Sequence, residues 1–257
     1  MSNIVVCYKW VADEADLRFD QSGAVDLSKA AYKISEYDRN AIQAAVDIKE
    51  DGDEIVVVSY GDAGAKKSVK EALSRGADKA VLVVNDATVQ ADGYATSQVL
   101  AAAIADIEDV KAVIFSEGAS DTYARQVGPR VAAIMDMSLV TNVAEMSIAG
   151  DKLDARRRTE DGFQKVSAQM PVAVCVLPEI NVPPIPGMKA VLGAGKKPSN
   201  IIELDSLGLD SEKLEPKLVC KSLKQCSDER KNIMFTDGSA EEKVAVLVEA
   251  LKKEGVL

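Results

Sequence analysis

Three short stretches carry most of the side chains with which this chain could do chemistry. They are "CYKW" (residues 7–10), "SYGD" (59–62) and "SEGASDTYARQVGP" (116–129). Each follows a run of valine and isoleucine, so each sits where a strand ends. In an open parallel sheet, ligands bind outside the carboxyl ends of the strands. The third stretch is the richest. Gly118, Ala119 and Ser120 leave room for a phosphate, and a helix capped by Asp121 or Thr122 would turn free N–H groups towards it. None of the three has the spacing G-x-G-x-x-G or G-x-x-x-x-G-K-[ST]. Ordinary turns would account for any one of them. Three at one sheet edge point to a nucleotide cleft.

A fourth stretch, "PPIPGMKAVLGAGKKPSN" (183–200), differs from its surroundings. Three prolines stiffen its start, and Lys189, Lys196 and Lys197 crowd its second half. "GAGKKPS" imitates half of a P-loop, but Pro198 stands where a helix would have to begin. The residues leave a stiff connector and a docking surface as the two readings.

The chain has no histidine among its 257 residues. Ser-His-Asp and Cys-His mechanisms are excluded, as are His-ligated metals, so no catalytic or metal residue is assigned. The four cysteines (Cys7, Cys175, Cys220, Cys226) lack metal spacing. Cys7 and Cys175 lie in apolar runs and read as buried thiols. Cys220 and Cys226 leave a redox pair open. A net charge of -10 argues against nucleic acid as a partner. No apolar run is long enough to span a membrane, and the amino terminus lacks an export pattern, so a reducing cytoplasm is expected.

The elements that must position these residues alternate in type. "NIVVCYKWV", "EIVVVSYG", "KAVLVV" and "VKAVIFSEG" read as strands. Between and after them run helical patterns: 35–52, with Ser35 or Asp38 as cap and Ala41, Ile42, Ala45 and Val46 as its apolar stripe; 63–77, stopped at Gly76; 91–107; and 123–136. "DLRFDQSGAVDL" reads as a hairpin excursion. Strands of continuous Val and Ile belong to a parallel sheet buried on both faces. The expected fold is α/β, a parallel-core sheet with helices on both faces of the adenine-nucleotide alpha-hydrolase type. Residues 137–178, ending in "MPVAVCVLP", read as antiparallel strands added to it, with turns at 149–151 and 160–162. Residues 1–200 form the nucleotide-binding domain, and 201–257 an extended C-terminal arm. In that arm "SAEEKVAVLVEALKKEG" is a helix with Ser239 and Glu242 as a capping box.

"VCYKWVADE", "ALSRGADKAVLV", "SDTYARQVGP" and "MKAVLGAGKKP" together resemble the β subunit of electron transfer flavoproteins, most closely its FixA branch. The resemblance runs in order over essentially the whole chain. It implies a heterodimer with a flavin-bearing α subunit, a C-terminal arm wrapped on that partner, and an acceptor of the acyl-CoA dehydrogenase or reductase type. The β cleft of such proteins holds AMP as a structural ligand. In bifurcating members it holds a second FAD that takes a hydride from NADH.

Carried over residue by residue, the resemblance places Cys7 and Lys9 at the adenine side, Ser35 to Asp38 over the nucleotide, and Tyr60 and Gly61 at the second strand end. Ser116, Gly118, Ala119, Ser120, Asp121, Thr122, Gln126, Val127 and Gly128 fall on the phosphate loop. Asp121 and Thr122 followed by Gln126-Val127-Gly128-Pro129 resemble the FAD-bearing loop D-T-A-Q-V-G-P, with "YAR" interposed. The family's glutamate before Arg157 is here Arg156. The Pro-rich stretch resembles the family's recognition loop, with Ile185 as its anchor and Met188 and Lys189 beside it. A stand-alone adenine-nucleotide sensor of the universal-stress type is the alternative reading of the same sheet.

Overall fold

A computed structural model describes residues 2–85, 91–225 and 230–257. The chain begins with β1 (Asn3–Cys7), β2 (Trp10–Ala12), β3 (Arg18–Phe19), β4 (Val25–Asp26) and β5 (Tyr32–Ile34). It then alternates through α1 (Glu36–Ile48), β6 (Glu54–Gly61), α2 (Lys66–Ser74), β7 (Lys79–Val84), α3 (Gly93–Ala105), β8 (Val110–Ser116) and α4 (Val127–Ile134). There follow β9 (Ser138–Ala149), β10 (Lys152–Thr159), β11 (Gly162–Gln169), β12 (Val172–Val176), α5 (Met188–Ala194), β13 (Ser199–Glu203), α6 (Ser211–Leu214) and α7 (Ala240–Lys253). One compact unit runs to Leu223, and a second comprises Lys224–Leu257.

The main sheet has nine strands in the order β11-β10-β9-β12-β8-β1-β6-β7-β13. β1 lies parallel to β6 and β8, and the parallel register continues through β7 and β13 on one side and β12 and β9 on the other. Period-two alternation divides β1 between two cores. Ile4 and Val6 pack with α1 and α2 through Ile42, Val69 and Leu73. Val5 and Cys7 pack with α3 and α4 through Val99, Ile104 and Val131. Helices therefore cover both faces, as the continuous apolar strands require. The crossover from β7 to β8 carries the chain back across β1. The strand order reverses there, and at such a reversal an open sheet leaves a crevice for a ligand, here at the ends of β1 and β8.

Four expectations are corrected. "PVAVCV" is not an added antiparallel strand: β12 inserts between β8 and β9, parallel to both, and all five residues are buried. Only β9, β10 and β11 form an antiparallel meander. Adjacency to that meander outweighed the unbroken apolar run, the sign of a two-sided core strand. The sheet also reaches beyond residue 200, because Ser199–Glu203 pairs with β7 and Leu204 is buried beneath it. The fourth helix begins at Val127 rather than near Tyr123. Last, Ser35 does stand at the N-cap position of α1, but neither its side chain nor that of Asp38 makes a cap bond there.

In the second unit, α7 has the expected capping box. Ser239 Oγ accepts from Glu242 N at 3.3 Å, and Ser239 N donates to Glu242 Oε2 at 2.7 Å. None of its side chains is buried. No helix among the described residues is long and apolar enough to cross a membrane.

Candidate functional site

The crevice is built from the ends of β1 and β8 and the first turn of α1. Asp38, freed from capping, ties all three together. Its Oδ2 accepts from Lys9 N at 2.7 Å, and its Oδ1 lies 2.5 Å from Ser116 Oγ. Ser35 is fully buried, and its Oγ accepts from Ser120 N at 3.2 Å. Lys9 Nζ pairs with Asp121 across the crevice. Ser35, Asp38, Lys9, Ser116, Ser120 and Asp121 are thus brought into one cluster by residues up to 112 apart in sequence.

Asp38 is buried, and desolvation pushes its pKa from 3.8 up to about 7, with the Asp121 charge adding to the effect against the bonds from Ser116 and Lys9. Hydrogen bonding agrees. The Ser116 hydroxyl has one proton but faces two acceptors, Asp38 Oδ1 and, at 2.9 Å, Gly118 O. Protonating Asp38 resolves the competition: the acid donates to Ser116 Oγ, and Ser116 donates to Gly118 O. Between about pH 4 and pH 7 the unfolded chain has released this proton while the folded chain keeps it. Stability from this group therefore falls as pH rises through that window and is level above it. Asp38→Asn should remove the loss. Relative to the parent, the variant is expected to gain about 1–3 kcal/mol between pH 5 and pH 8 in urea unfolding. A difference between the two proteins that does not change with pH would show that Asp38 is ionised throughout.

The other candidates are placed unequally. Cys7 is buried in the core below the crevice, and burial, with Asp38 and Cys175 nearby, holds its thiol well above the ordinary range. Tyr60 is half-buried at the end of β6, where its hydroxyl oxygen accepts from Asn85 Nδ2 at 3.4 Å; Gly61 packs against Ala65. No described hydrogen bond joins Tyr60 or Gly61 to the 116–128 loop. Gln126 Oε1 accepts from Arg130, and Val127 and Gly128 start α4 above Phe115 and Cys175. Cys220 is exposed, and Cys226 lies outside the described residues.

Residues 123–125, the interposed "YAR", do more than their sequence shows. Tyr123 and Arg125 take left-handed φ values of 46° and 56°, costly for side chains of this size. The Tyr123 ring lies over Gly118 and stands 5.4 Å from the Tyr37 ring. Arg125 pairs with Glu117 at 3.1 Å and donates to Asn142 Oδ1 at 3.0 Å, anchoring the loop to β9. Tyr37, Glu117, Tyr123 and Arg125 lie inside the stretches singled out from the sequence without a role of their own, and Asn142 lies outside them. The only signal was the break that "YAR" makes in the loop pattern.

The electron transfer flavoprotein domain model matches residues 23–207. The chain belongs to the electron transfer flavoprotein family. Family membership selects electron transfer over the stress-type sensor. It also brings a flavin or nucleotide to be tested against the crevice. Ser120 Oγ is buried there without a partner, a donor in want of an acceptor. The Gln126 side chain does not cap α4, so the helix's first N–H groups have no side-chain acceptor. An uncapped helix start and an orphaned hydroxyl are each of the kind that a phosphate group would satisfy. The helix start comes later in the chain than Asp121 and Thr122 imply. Thr122 is exposed, its own N–H donating to Asp121 Oδ1 at 2.8 Å.

Arg156 pairs with Glu145 and lies 3.8 Å over the Phe163 ring. The Pro-rich stretch stands clear of the core: Ile185 is 93% exposed, Val182 92% and Met188 78%. Lys189 and Lys196 are exposed, but Lys197 is not a free charge. Its Nζ donates to Leu73 O and Ala77 O, closing the carboxyl end of α2.

Proposed function

We propose that this chain is the β subunit of a heterodimeric electron transfer flavoprotein of the FixA branch. It passes electrons from a reduced donor, NADH in the bifurcating form of this reading, to an acyl-CoA dehydrogenase or reductase. The crevice between β1 and β8 holds FAD rather than AMP, a choice supported by Asp121-Thr122 ahead of Gln126-Val127-Gly128-Pro129. When bound, the flavin supplies one- and two-electron chemistry. The chain's own residues bind and orient. Ser120, Thr122 and the first turn of α4 take the phosphates, while Asp38, Ser116 and Ser35 hold the loop to β1 and α1. Tyr37 and Tyr123 shield the loop from water. The flavin-bearing α subunit is held by the arm.

Ile185 carries this reading. An isoleucine 93% exposed between Pro184 and Pro186 has no role in its own core. A loop stiffened beforehand loses little entropy on docking, and burying one aliphatic side chain is worth roughly 1.5–3 kcal/mol. Ile185→Ala should leave folding and flavin content unchanged and slow acceptor reduction about ten-fold or more, ~1.4 kcal/mol at the lower end. The measurement is acceptor reduction by the pre-reduced complex. Equal rates for variant and parent would reduce the loop to a connector.

A further inference from the structure

An open cavity of about 320 Å³ lies between α1, the end of α2 and the Pro-rich loop. Arg39 and Arg75 stand on one wall, with Pro184, Ile185 and Pro186 on another. The two guanidinium groups share one counter-ion. Arg39 Nη2 and Arg75 Nη2 lie 3.4 Å and 3.0 Å from the same oxygen, Glu71 Oε1. Two cations on one carboxylate leave a net positive charge, and Arg39 Nε is buried without a partner. The Arg75 side chain is only 13% exposed, and burial draws its pKa down against the pull of Glu71. A guanidinium taken from water with donors unspent is a ready acceptor of a second carboxylate.

The surroundings have the same sign. Lys66, Lys67 and Lys70 on α2 and Lys189 and Lys196 along the loop are exposed, and none forms an ion pair with a described residue. Lys197 clamps the segment that carries Lys189 and Lys196 to the carboxyl end of α2, the helix that carries Lys66, Lys67 and Lys70. On a chain of net charge -10 this is a local reversal beside the most exposed apolar side chains. An acidic partner is repelled by the molecule as a whole and attracted here.

We propose that this cavity receives an aspartate or glutamate side chain of the acceptor protein, paired with Arg39 and Arg75 while Ile185 is buried alongside. The inference rests on the docking reading of the Pro-rich loop. The cavity wall supplies apolar contact, and the guanidinium pair supplies orientation and charge selection. Glu71 is then an internal competitor: it occupies the arginines in the free protein and must share them on docking.

Competition predicts effects of opposite sign, which a purely structural role does not. The full-length chain in its purified complex would be titrated against immobilised acyl-CoA dehydrogenase-type acceptor at low and high salt. Arg39→Gln is expected to weaken association about ten-fold at low salt, and Glu71→Gln to strengthen it about three-fold. Both effects should shrink at 0.5 M salt. Ile185→Ala, measured in parallel, should weaken association at every salt concentration. If Arg39→Gln and Glu71→Gln bind like the parent, or shift in the same direction, the acidic contact is overturned whatever Ile185→Ala does. If the charge variants behave as expected and Ile185→Ala binds normally, the anchor fails and the acidic contact stands. Calorimetry with inorganic phosphate and with acetate, without acceptor, provides the remaining arm. Saturable binding of either, lost in Arg39→Gln, would make the cavity a small-anion site and overturn the protein contact.

Discussion

Gly128→Ala is expected to cost about 2–3 kcal/mol of stability and to strip the purified protein of nucleotide. A Cβ added at Gly128 would stand 2.6 Å from Cys175 Sγ and 3.2 Å from Phe115 Cγ. Both neighbours belong to fully paired core strands, so neither can withdraw without disturbing β8 or β12. Relief must come from α4, which would lift away from the sheet. Its first turn is where the phosphate is proposed to sit. Urea unfolding and chromatography of released nucleotide measure the two effects together. Cys175→Ala in the same chain should recover part of the loss, because it removes the atom in closest contact. Parent-like stability and nucleotide content in Gly128→Ala would show that α4 has slack and that the site does not depend on its seating.

Deleting residues 224–257 is expected to abolish co-purification with the flavin-bearing α subunit while leaving the remaining unit folded. That unit is compact up to Leu223 and contains the whole nine-stranded sheet. α7, by contrast, is amphipathic, with Val244 and Leu247 exposed on its apolar stripe, and none of its side chains is fully buried. An exposed apolar stripe on a well-capped helix is what a permanent partner would cover. Circular dichroism establishes that the truncated chain is folded, and an affinity-tagged α subunit reports its capture. Full recovery of the truncated chain on that column would place the subunit interface on the sheet unit instead.

Much of the frame was legible from the residues. Glu54–Gly61 and Lys79–Val84 were recognisable to the residue, because a strand buried on both faces reads as unbroken Val and Ile. The α7 capping box was equally plain, since it depends on two residues three apart. That the first and last of the three quoted strand ends lie at one edge followed from the parallel order of the strands, and there Lys9 and Ser116 meet Asp38. β12 misled because parallel and antiparallel pairing use the same apolar residues; only the crossover decides between them. The helix expected from residue 123 failed because Tyr123 and Arg125 are held left-handed by Gly118, Glu117 and Asn142, contacts that no helical periodicity encodes.

The side-chain roles divide along the same line. Residue types and order alone determined the alternation of elements, the absence of histidine and the net acidic charge. These depend on local propensity and on partition between water and core. Tertiary structure alone decided that the side chains of Ser35 and Asp38 bridge to other segments rather than bond the first turn of α1. It also decided that Asp38 is buried against Ser116, that Lys197 closes α2, and that Arg39 and Arg75 converge on Glu71. Each of these joins side chains that are far apart in sequence or turns a group away from its nearest local partner. Desolvation and hydrogen-bond competition act through distance in space, so they take effect only once the chain has brought those groups together.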